Sequence, residues 1–352
     1  MKSKIILFMP SIEGGGVEKN FFLISNFLSK NIGNIIVVSI SRKYKNKFNK
    51  NIKFVSLKFD FWDNLTRRFK FFLAIILLVK EIFKNKNSVV VSFQANIYCG
   101  LLSKLLGFNL VIRSNSSPKG WSQNFIKNFF YRIGLNAAKK IIVNSQEFRR
   151  EIKNRFNVSS ECIYNPLNKT EILKLSRKKI KFKFFTKDNL NIINIGRIEN
   201  QKDQKSLLEA IKILNKKIKI KLLIIGNGSI QKELERFIIN NSLEKSVKIL
   251  NNISNPFPYL LKSDLFILSS IYEGLPNVLL ESLILKKFII STNCSSGPSE
   301  ILDYGKGGIL TPVGDYHSLA KKIIYFKKNK KKLKHKLVYA RKRLYRFDEN
   351  KN

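Results

Sequence analysis

Cysteine, histidine and acidic residues are all scarce in this 352-residue chain. Cys99, Cys162 and Cys294 are odd in number and lie far apart, which argues against a disulfide framework or a cysteine zinc site and fits reduced thiols. The two histidines, His317 and His335, both fall near the C-terminal end. Triads that need histidine and His-rich metal sites therefore have no support in the first half. No Asp-x-Asp and no Gly-x-Gly-x-x-Gly occurs, so neither a carboxylate metal motif nor the dinucleotide fingerprint is present. Long apolar runs are missing too. Phe71 to Val79, between Lys70 and Lys80, is too short for a hydrocarbon core of ~30 Å. It reads either as a basic helix on a membrane surface or as a helix buried against a sheet. The opening run Ile5 to Met9 is shorter than a leader's apolar region and is ended by Pro10, so no secretory leader is expected.

Positive charge is in excess: 66 Lys and Arg against 24 Asp and Glu, a formal net charge of +42. The lysines are spread along the chain, and Lys, Asn, Ile and Phe are together the residues of AT-rich codons. Composition bias accounts for much of the charge, yet such a surface is still drawn to anionic membrane. The Lys- and Arg-rich segment from Lys327 to Arg346 has a helical pattern and lacks interleaved aromatics or a recognisable module, so nucleic acid is not expected as a partner.

With 44% apolar residues the chain can bury two cores. Short β-branched runs alternate with helix-length segments, the pattern of parallel sheets with crossover helices. Strands are expected at 4–9, 35–40, 52–57, 88–93, 110–113 and 140–144, then at 190–195, 218–225, 247–250, 265–268 and 288–291. The lysine-rich, weakly periodic stretch between the two sets reads as a hinge. The expected organisation is a Rossmann-like domain over 1–170, a hinge over 171–188, a second Rossmann-like domain over 189–326, and a basic helical tail over 327–352. In such α/β domains ligands bind beyond the carboxyl ends of the strands, and the cleft between the domains is the expected location.

Three motifs carry chemistry. Gly14-Gly15-Gly16-Val17-Glu18 follows the first strand and opens a helix, which suits either anion binding at a helix N-terminus or plain turn chemistry. Gly196-Arg197 ends the first strand of the second half, with Lys202-Asp203 entering the next helix. Two permanent cations there suit a diphosphate, Arg by bidentate grip and Lys as a point charge. The third motif is Ser269-Ser270-Ile271-Tyr272-Glu273-Gly274-Leu275-Pro276-Asn277-Val278-Leu279-Leu280-Glu281. It reads as strand end, turn and helix, with Pro276 at the first helical position. Its glutamates either hold hydroxyls of a ligand or lie on the surface of a capped helix.

The spacing Glu273-x₇-Glu281 around Gly-Leu-Pro-Asn resembles the signature of the GT-B glycosyltransferases grouped as family 4. Gly15-Gly16-Val17-Glu18, Ile142-Val143-Asn144-Ser145, Tyr164-Asn165-Pro166, Gly196-Arg197 with Gln201-Lys202, Gly226-Asn227-Gly228 and Ser296-Gly297-Pro298-Ser299-Glu300-Ile301 match further family segments, in family order. The resemblance covers nearly all the chain. It implies a GT-B fold, two doubly wound parallel-sheet domains facing a central cleft, and a retaining, metal-independent hexosyltransferase.

By the resemblance, Arg197 and Lys202 bind the donor diphosphate, Glu281 holds the ribose hydroxyls and Glu273 holds a hydroxyl of the donor sugar. Gly196, Asn227, Gly274, Leu275, Pro276 and Asn277 line the donor, with Gly15 and Gly16 closing on the same diphosphate. The donor is a UDP- or GDP-sugar carrying hexose or N-acetylhexosamine. The acceptor is a glycan or a polyprenyl-diphosphate-linked saccharide in bacterial surface polysaccharide biosynthesis, including capsule and lipopolysaccharide. No cofactor or metal is implied, and the expected location is cytoplasmic, peripheral on the inner face of the membrane. The chain departs from the family in the acceptor loop, at a position where glycine is common, and at Phe347-Asp348-Glu349-Asn350, near where relatives often run a final helix back to the first domain. Arg113-Ser114-Asn115-Ser116 stands where relatives carry a histidine in the acceptor loop, making Arg113 and Asn115 the acceptor-side candidates, and Asn251 stands where glycine is common. Two other classes compete: a GT-B nucleotide-sugar 2-epimerase, which needs acid–base side chains near the sugar, and a non-enzymatic basic protein bound to membrane or nucleic acid.

Overall fold

The computed structural model describes residues 4–12, 15–58, 62, 66–115, 118, 121, 124–348 and 350–352. Gly14 and Ser116 of the motifs above lie outside the described residues. The chain divides into two units, Met1–Pro166 and Leu167–Asn352. Residues 171–188 therefore belong to the second unit.

The first unit alternates strand and helix: β1 (Ile5–Phe8), α1 (Gly16–Asn31), β2 (Ile35–Val38), β3 (Lys53–Val55), α2 (Arg67–Lys84), β4 (Val89–Ser92), α3 (Asn96–Leu106), β5 (Asn109–Ser114), α4 (Phe125–Asn136), β6 (Lys140–Val143), α5 (Gln146–Phe156) and β7 (Glu161–Cys162). Among the described residues the sheet order is β3-β2-β1-β4-β5-β6-β7, every pair parallel. Strand side chains alternate between two cores, as the period of two requires. Ile6 and Phe8 of β1 join Ala74 and Leu78 of α2, Cys99 of α3 and Phe148 of α5 on one face. Leu7 and Met9 join Phe21 and Phe48 on the other.

The second unit continues with α6 (Lys169–Ser176), β8 (Leu190–Ile195), α7 (Gln204–Asn215), β9 (Ile220–Ile225), α8 (Gln231–Asn240), β10 (Val247–Leu250), α9 (Phe257–Lys262), β11 (Leu265–Leu268), α10 (Asn277–Ile284), β12 (Phe288–Thr292), α11 (Pro298–Ile301), β13 (Ile309–Thr311), α12 (Tyr316–Lys328) and α13 (Lys330–Lys342). Its sheet order is β10-β9-β8-β11-β12-β13, again all parallel among the described residues. Strands buried on both faces read as unbroken apolar runs, and Leu265–Leu268 is one. Ile192, Leu222, Ile224 and Ile267 pack with Leu207, Ile211, Leu234, Ile323 and Phe326 of the covering helices.

The expected strand bounds hold for β8, β10 and β11 and shift by one or two residues at one or both ends elsewhere, while β7 and β13 are additional. The segment 327–352 is tied to the second unit: Leu333, Ala340 and Phe347 are buried and Leu167 bridges to Asp348. The lysines Lys331, Lys332 and Lys334 of α13 face solvent. Cys99 and Cys294 are buried, and among the described residues no disulfide joins the cysteines.

Candidate active site

β8 is flanked by β9 on one side and by β11 on the other, so chain direction across the sheet reverses at the β8–β11 junction. Beyond the carboxyl ends of strands at such a switch point, helix starts and loops diverge and leave a crevice for ligand. Gly196-Arg197 leaves β8 here and Ser269-Ser270 leaves β11.

The loop after β8 is held by close backbone contact. Gly196 N donates to Ile225 O at 3.0 Å and Ile198 N donates to Asn227 O at 2.8 Å. At that approach a Cβ on Gly226 would stand 1.8 Å from Gly196 O, and one on Gly228 would stand 1.9 Å from Ile198 O. Only glycine lets the two chains come so near. Ser229 then donates through both N–H (3.0 Å) and Oγ (2.6 Å) to Glu199. These two bonds hold the Glu199 carboxyl below the usual carboxylate range, helped by Arg197 and opposed by burial.

A short 3₁₀ turn over Asn200–Lys202 leads to Asp203, whose left-handed backbone (φ 45°) and side chain, accepting from Ser206 N at 3.2 Å, start α7. This turn is joined to the loop after β11 at several points. Ser269 Oγ donates to Lys202 O (2.8 Å), Gln201 Nε2 donates to Tyr272 O (2.9 Å), and Ile271 N donates to Gln201 O (2.8 Å). The charged pair lies inside this frame. Lys202 Nζ donates to Glu273 Oε1 at 2.6 Å, with the side chains only 15% and 7% exposed. Ser270 Oγ donates to the same oxygen at 2.6 Å.

Most donor-side residues expected from the sequence gather on these two loops. Lys202 and Glu273 are in direct contact, and the Lys202 stem runs past Gly196, where a Cβ would lie 3.6 Å from Lys202 Cε. Arg197 is exposed and donates to Gln201 Oε1 at 3.0 Å, so the two cations have different surroundings: one paired and half-sheltered, one open. Gly274, Leu275 and Pro276 are buried, and Asn277 begins α10. Pro276 is the N-cap rather than the first helical residue: its ψ of 101° is extended, so the helix starts one position later than expected. Glu281 is buried one turn into α10. Asn227 is exposed and pairs reciprocally with Asn252, which has a φ of 54°.

The sequence motifs assign no role to three residues here. Gln201 links Arg197 to the Tyr272 carbonyl, Ser270 supports Glu273, and Glu199 fixes the glycine turn. The serines stand inside the third motif, but nothing in their spacing tells which carboxylate they meet. Cys294 lies close enough to feel Glu273. Burial first, and then that negative charge, pushes its thiol up to about 12, which keeps it protonated and non-nucleophilic.

The remaining candidates lie in the first unit. Gly15 is the N-cap of α1 with extended backbone (φ −88°, ψ −170°), and Gly16 is the first helical residue. Arg113, at the end of β5, is turned inward and is 4% exposed. Its Nη2 donates to Ile163 O, Tyr164 O and Asn165 Oδ1, each at 3.3 Å, so it ties β5 to the segment after β7. Burial brings its guanidinium down to about 10. Asn115 Nδ2 donates to Phe93 O and Arg113 O at 3.4 Å.

Residues 176–343 match the family described as Glycosyl transferases group 1. The uncharacterized glycosyltransferase MJ1059 of Methanocaldococcus jannaschii is 34% identical over 200 residues, which is 51% of this chain and 49% of that protein. The chain thus spans about half the length of that relative. A Campylobacter jejuni protein is 28% identical over 333 residues, 91% of this chain and 88% of its own. It is named GalNAc-alpha-(1->4)-GalNAc-alpha-(1->3)-diNAcBac-PP-undecaprenol alpha-1,4-N-acetyl-D-galactosaminyltransferase. Among solved structures, Anabaena Alr3699/HepE in complex with UDP and glucose has a TM-score of 0.77 at 18% identity, over 99% of this chain and 96% of that one. The shared fold is GT-B, with two parallel-sheet α/β units in one chain.

Proposed function

We propose that this chain, which carries a glycosyl transferases group 1 domain through residues 176–343, moves a hexose or N-acetylhexosamine from a UDP- or GDP-sugar to an acceptor with retention of anomeric configuration. The acceptor we propose is a glycan or polyprenyl-diphosphate-linked saccharide of bacterial surface polysaccharide synthesis. The observation that carries the reading is the sheltered Lys202–Glu273 pair, stitched between the loops that leave β8 and β11 at the switch point of the second sheet. The UDP and glucose in the Anabaena structure and the undecaprenol-linked substrate named for the Campylobacter relative support the donor and acceptor classes.

In this reading the donor diphosphate lies against Lys202 and Arg197. The C1–O bond to phosphate breaks on the same face on which the acceptor oxygen bonds to C1. The acceptor proton passes to a donor phosphate oxygen, so no side-chain base is required. Lys202, already desolvated, and Arg197 stabilise the negative charge that grows on the leaving diphosphate. Preorganised charge in a sheltered site is worth most at that moment. Glu273 accepts a hydrogen bond from a sugar hydroxyl while Ser270 holds its carboxylate in place. Glu281 accepts from the ribose, and the N–H groups of Gly274, Leu275 and Asn277 face the phosphates (Pro276 has none to give). Asn227 lies toward the base. The chain works in the cytoplasm, peripherally on the inner face of the membrane; among the described residues no helix is long and apolar enough to cross one.

Purified protein incubated with labelled UDP- and GDP-sugars and a membrane extract tests the reading. Label should move to lipid-linked or polymeric material with at least one donor, and Lys202→Met should cut the rate by about 10²–10³. Absence of both transfer and donor binding across the panel would remove the assignment.

A further inference from the structure

Arg197 leaves the carboxyl end of β8 with its side chain exposed. A long exposed side chain samples many rotamers, and freezing them on a ligand costs affinity. This arginine is held beforehand, at both ends. Its backbone carbonyl accepts from Gln204 Nε2 at 2.8 Å, and Gln204 is the fully buried first residue of α7. Its guanidinium Nη2 donates to Gln201 Oε1 at 3.0 Å. Glu199, the carboxylate whose charge Arg197 feels, is not the group that orients it, because Ser229 engages both of its oxygens.

Gln201 is itself fixed from the other side. Its Nε2 donates to Tyr272 O at 2.9 Å, and its backbone carbonyl accepts from Ile271 N at 2.8 Å. A side-chain amide carries one acceptor oxygen and one donor NH₂. Turned over, this one would set its NH₂ against the guanidinium and its oxygen against a carbonyl, so it stands one way round only. Tyr272 is the residue next to Glu273. The loop that carries the sugar-side carboxylate therefore also sets the angle of the diphosphate-side cation, through an amide 71 positions away in sequence.

We propose that Gln201 is a positioning residue, which holds the Arg197 guanidinium ready for the donor diphosphate and acts through Arg197 alone. The inference rests on the donor reading given above and deepens it. The test is calorimetric titration of UDP and GDP into wild type, Gln201→Met, Gln201→Glu, Arg197→Met and Gln201→Met/Arg197→Met. Gln201→Met keeps the length of the side chain and removes both amide bonds. It should bind nucleotide about fivefold more weakly than wild type, as the loss of one hydrogen bond predicts. In the Arg197→Met background the same change should alter affinity by less than about twofold, because the group it acts through is gone. Gln201→Glu keeps an oxygen on the guanidinium and gives up only the bond to Tyr272 O. It should therefore bind at least about threefold more tightly than Gln201→Met. An undiminished Gln201→Met loss in the Arg197→Met background, or equal losses in Gln201→Met and Gln201→Glu, would mean that the residue only braces the two loops, and overturns the proposal. So does wild-type affinity in Gln201→Met. No binding of either nucleotide by wild type withdraws the donor reading and the proposal together, so the two failures are told apart. Should Gln201→Met unfold, Gln201→Leu takes its place in the cycle.

Discussion

Removing Lys202 should leave a sheltered carboxylate without its cation, and the size of that effect follows from the geometry. At 2.6 Å the attraction is about 6 kcal/mol for an effective dielectric of about 20. Desolvation of both ends takes back most of it. Breaking a pair this buried from one side costs more than the pair's net worth, because the remaining charge stays out of water. Lys202→Met should therefore destabilise the second unit by about 3 kcal/mol. Ser270 keeps its bond to Glu273 and moderates the loss. Adding Glu273→Gln should recover much of the cost, giving a coupling of about 2 kcal/mol in a double-mutant cycle. Both tryptophans, Trp62 and Trp121, lie in the first unit, so intrinsic fluorescence reports on that unit and not on this one. Urea-dependent hydrogen exchange of peptides spanning β9 is the suitable assay. A coupling below about 0.5 kcal/mol, as solvent-exposed pairs give, would refute the reasoning.

Other outcomes follow from the same site. Gly228→Ala forces a Cβ toward Ile198 O and should cost about 2 kcal/mol, seen as a fall of about 5 °C in the melting temperature; an unchanged melt would contradict the contact. Ser229→Ala removes the bond that does most to hold the Glu199 carboxyl below its usual range. A carboxyl lowered in the folded state stabilises above its unfolded value and stops doing so as pH falls through the folded one. The variant should therefore be less stable than wild type near pH 7, with the gap closing below about pH 4 in melts across a pH series. Transfer should continue at an unchanged rate in EDTA, because Lys202 and Arg197 are proposed to meet the diphosphate. A loss above about tenfold that magnesium restores would contradict that role.

Strands dominated by apolar residues were legible in the sequence: Leu265–Leu268, an unbroken apolar run, and Leu190–Ile195, apolar but for Asn191 and Asn194, lie where the pattern puts them. β7 and β13 were not, because two or three residues carry no period. At the site, the motif spacing singled out Glu273 and Glu281, and the strand–loop–helix junction singled out Arg197 and Lys202. Their pairing was hidden. Lys202 reads naturally as the companion of Arg197, five residues away, whereas the fold brings it to Glu273 across 71 positions. Such a contact depends on β8 and β11 being neighbours, a choice of sheet order that no local pattern encodes. Arg113 shows the same limit: a polar residue in an apparent acceptor loop turns inward because three carbonyl-type oxygens wait there.

The role of the Lys202–Glu273 junction is tested most directly by calorimetric titration of UDP and GDP into wild type, Lys202→Met and Arg197→Met. At least one nucleotide should bind wild type, and each variant should bind it about tenfold or more weakly. Equal affinity in all three proteins would mean that the diphosphate is held elsewhere.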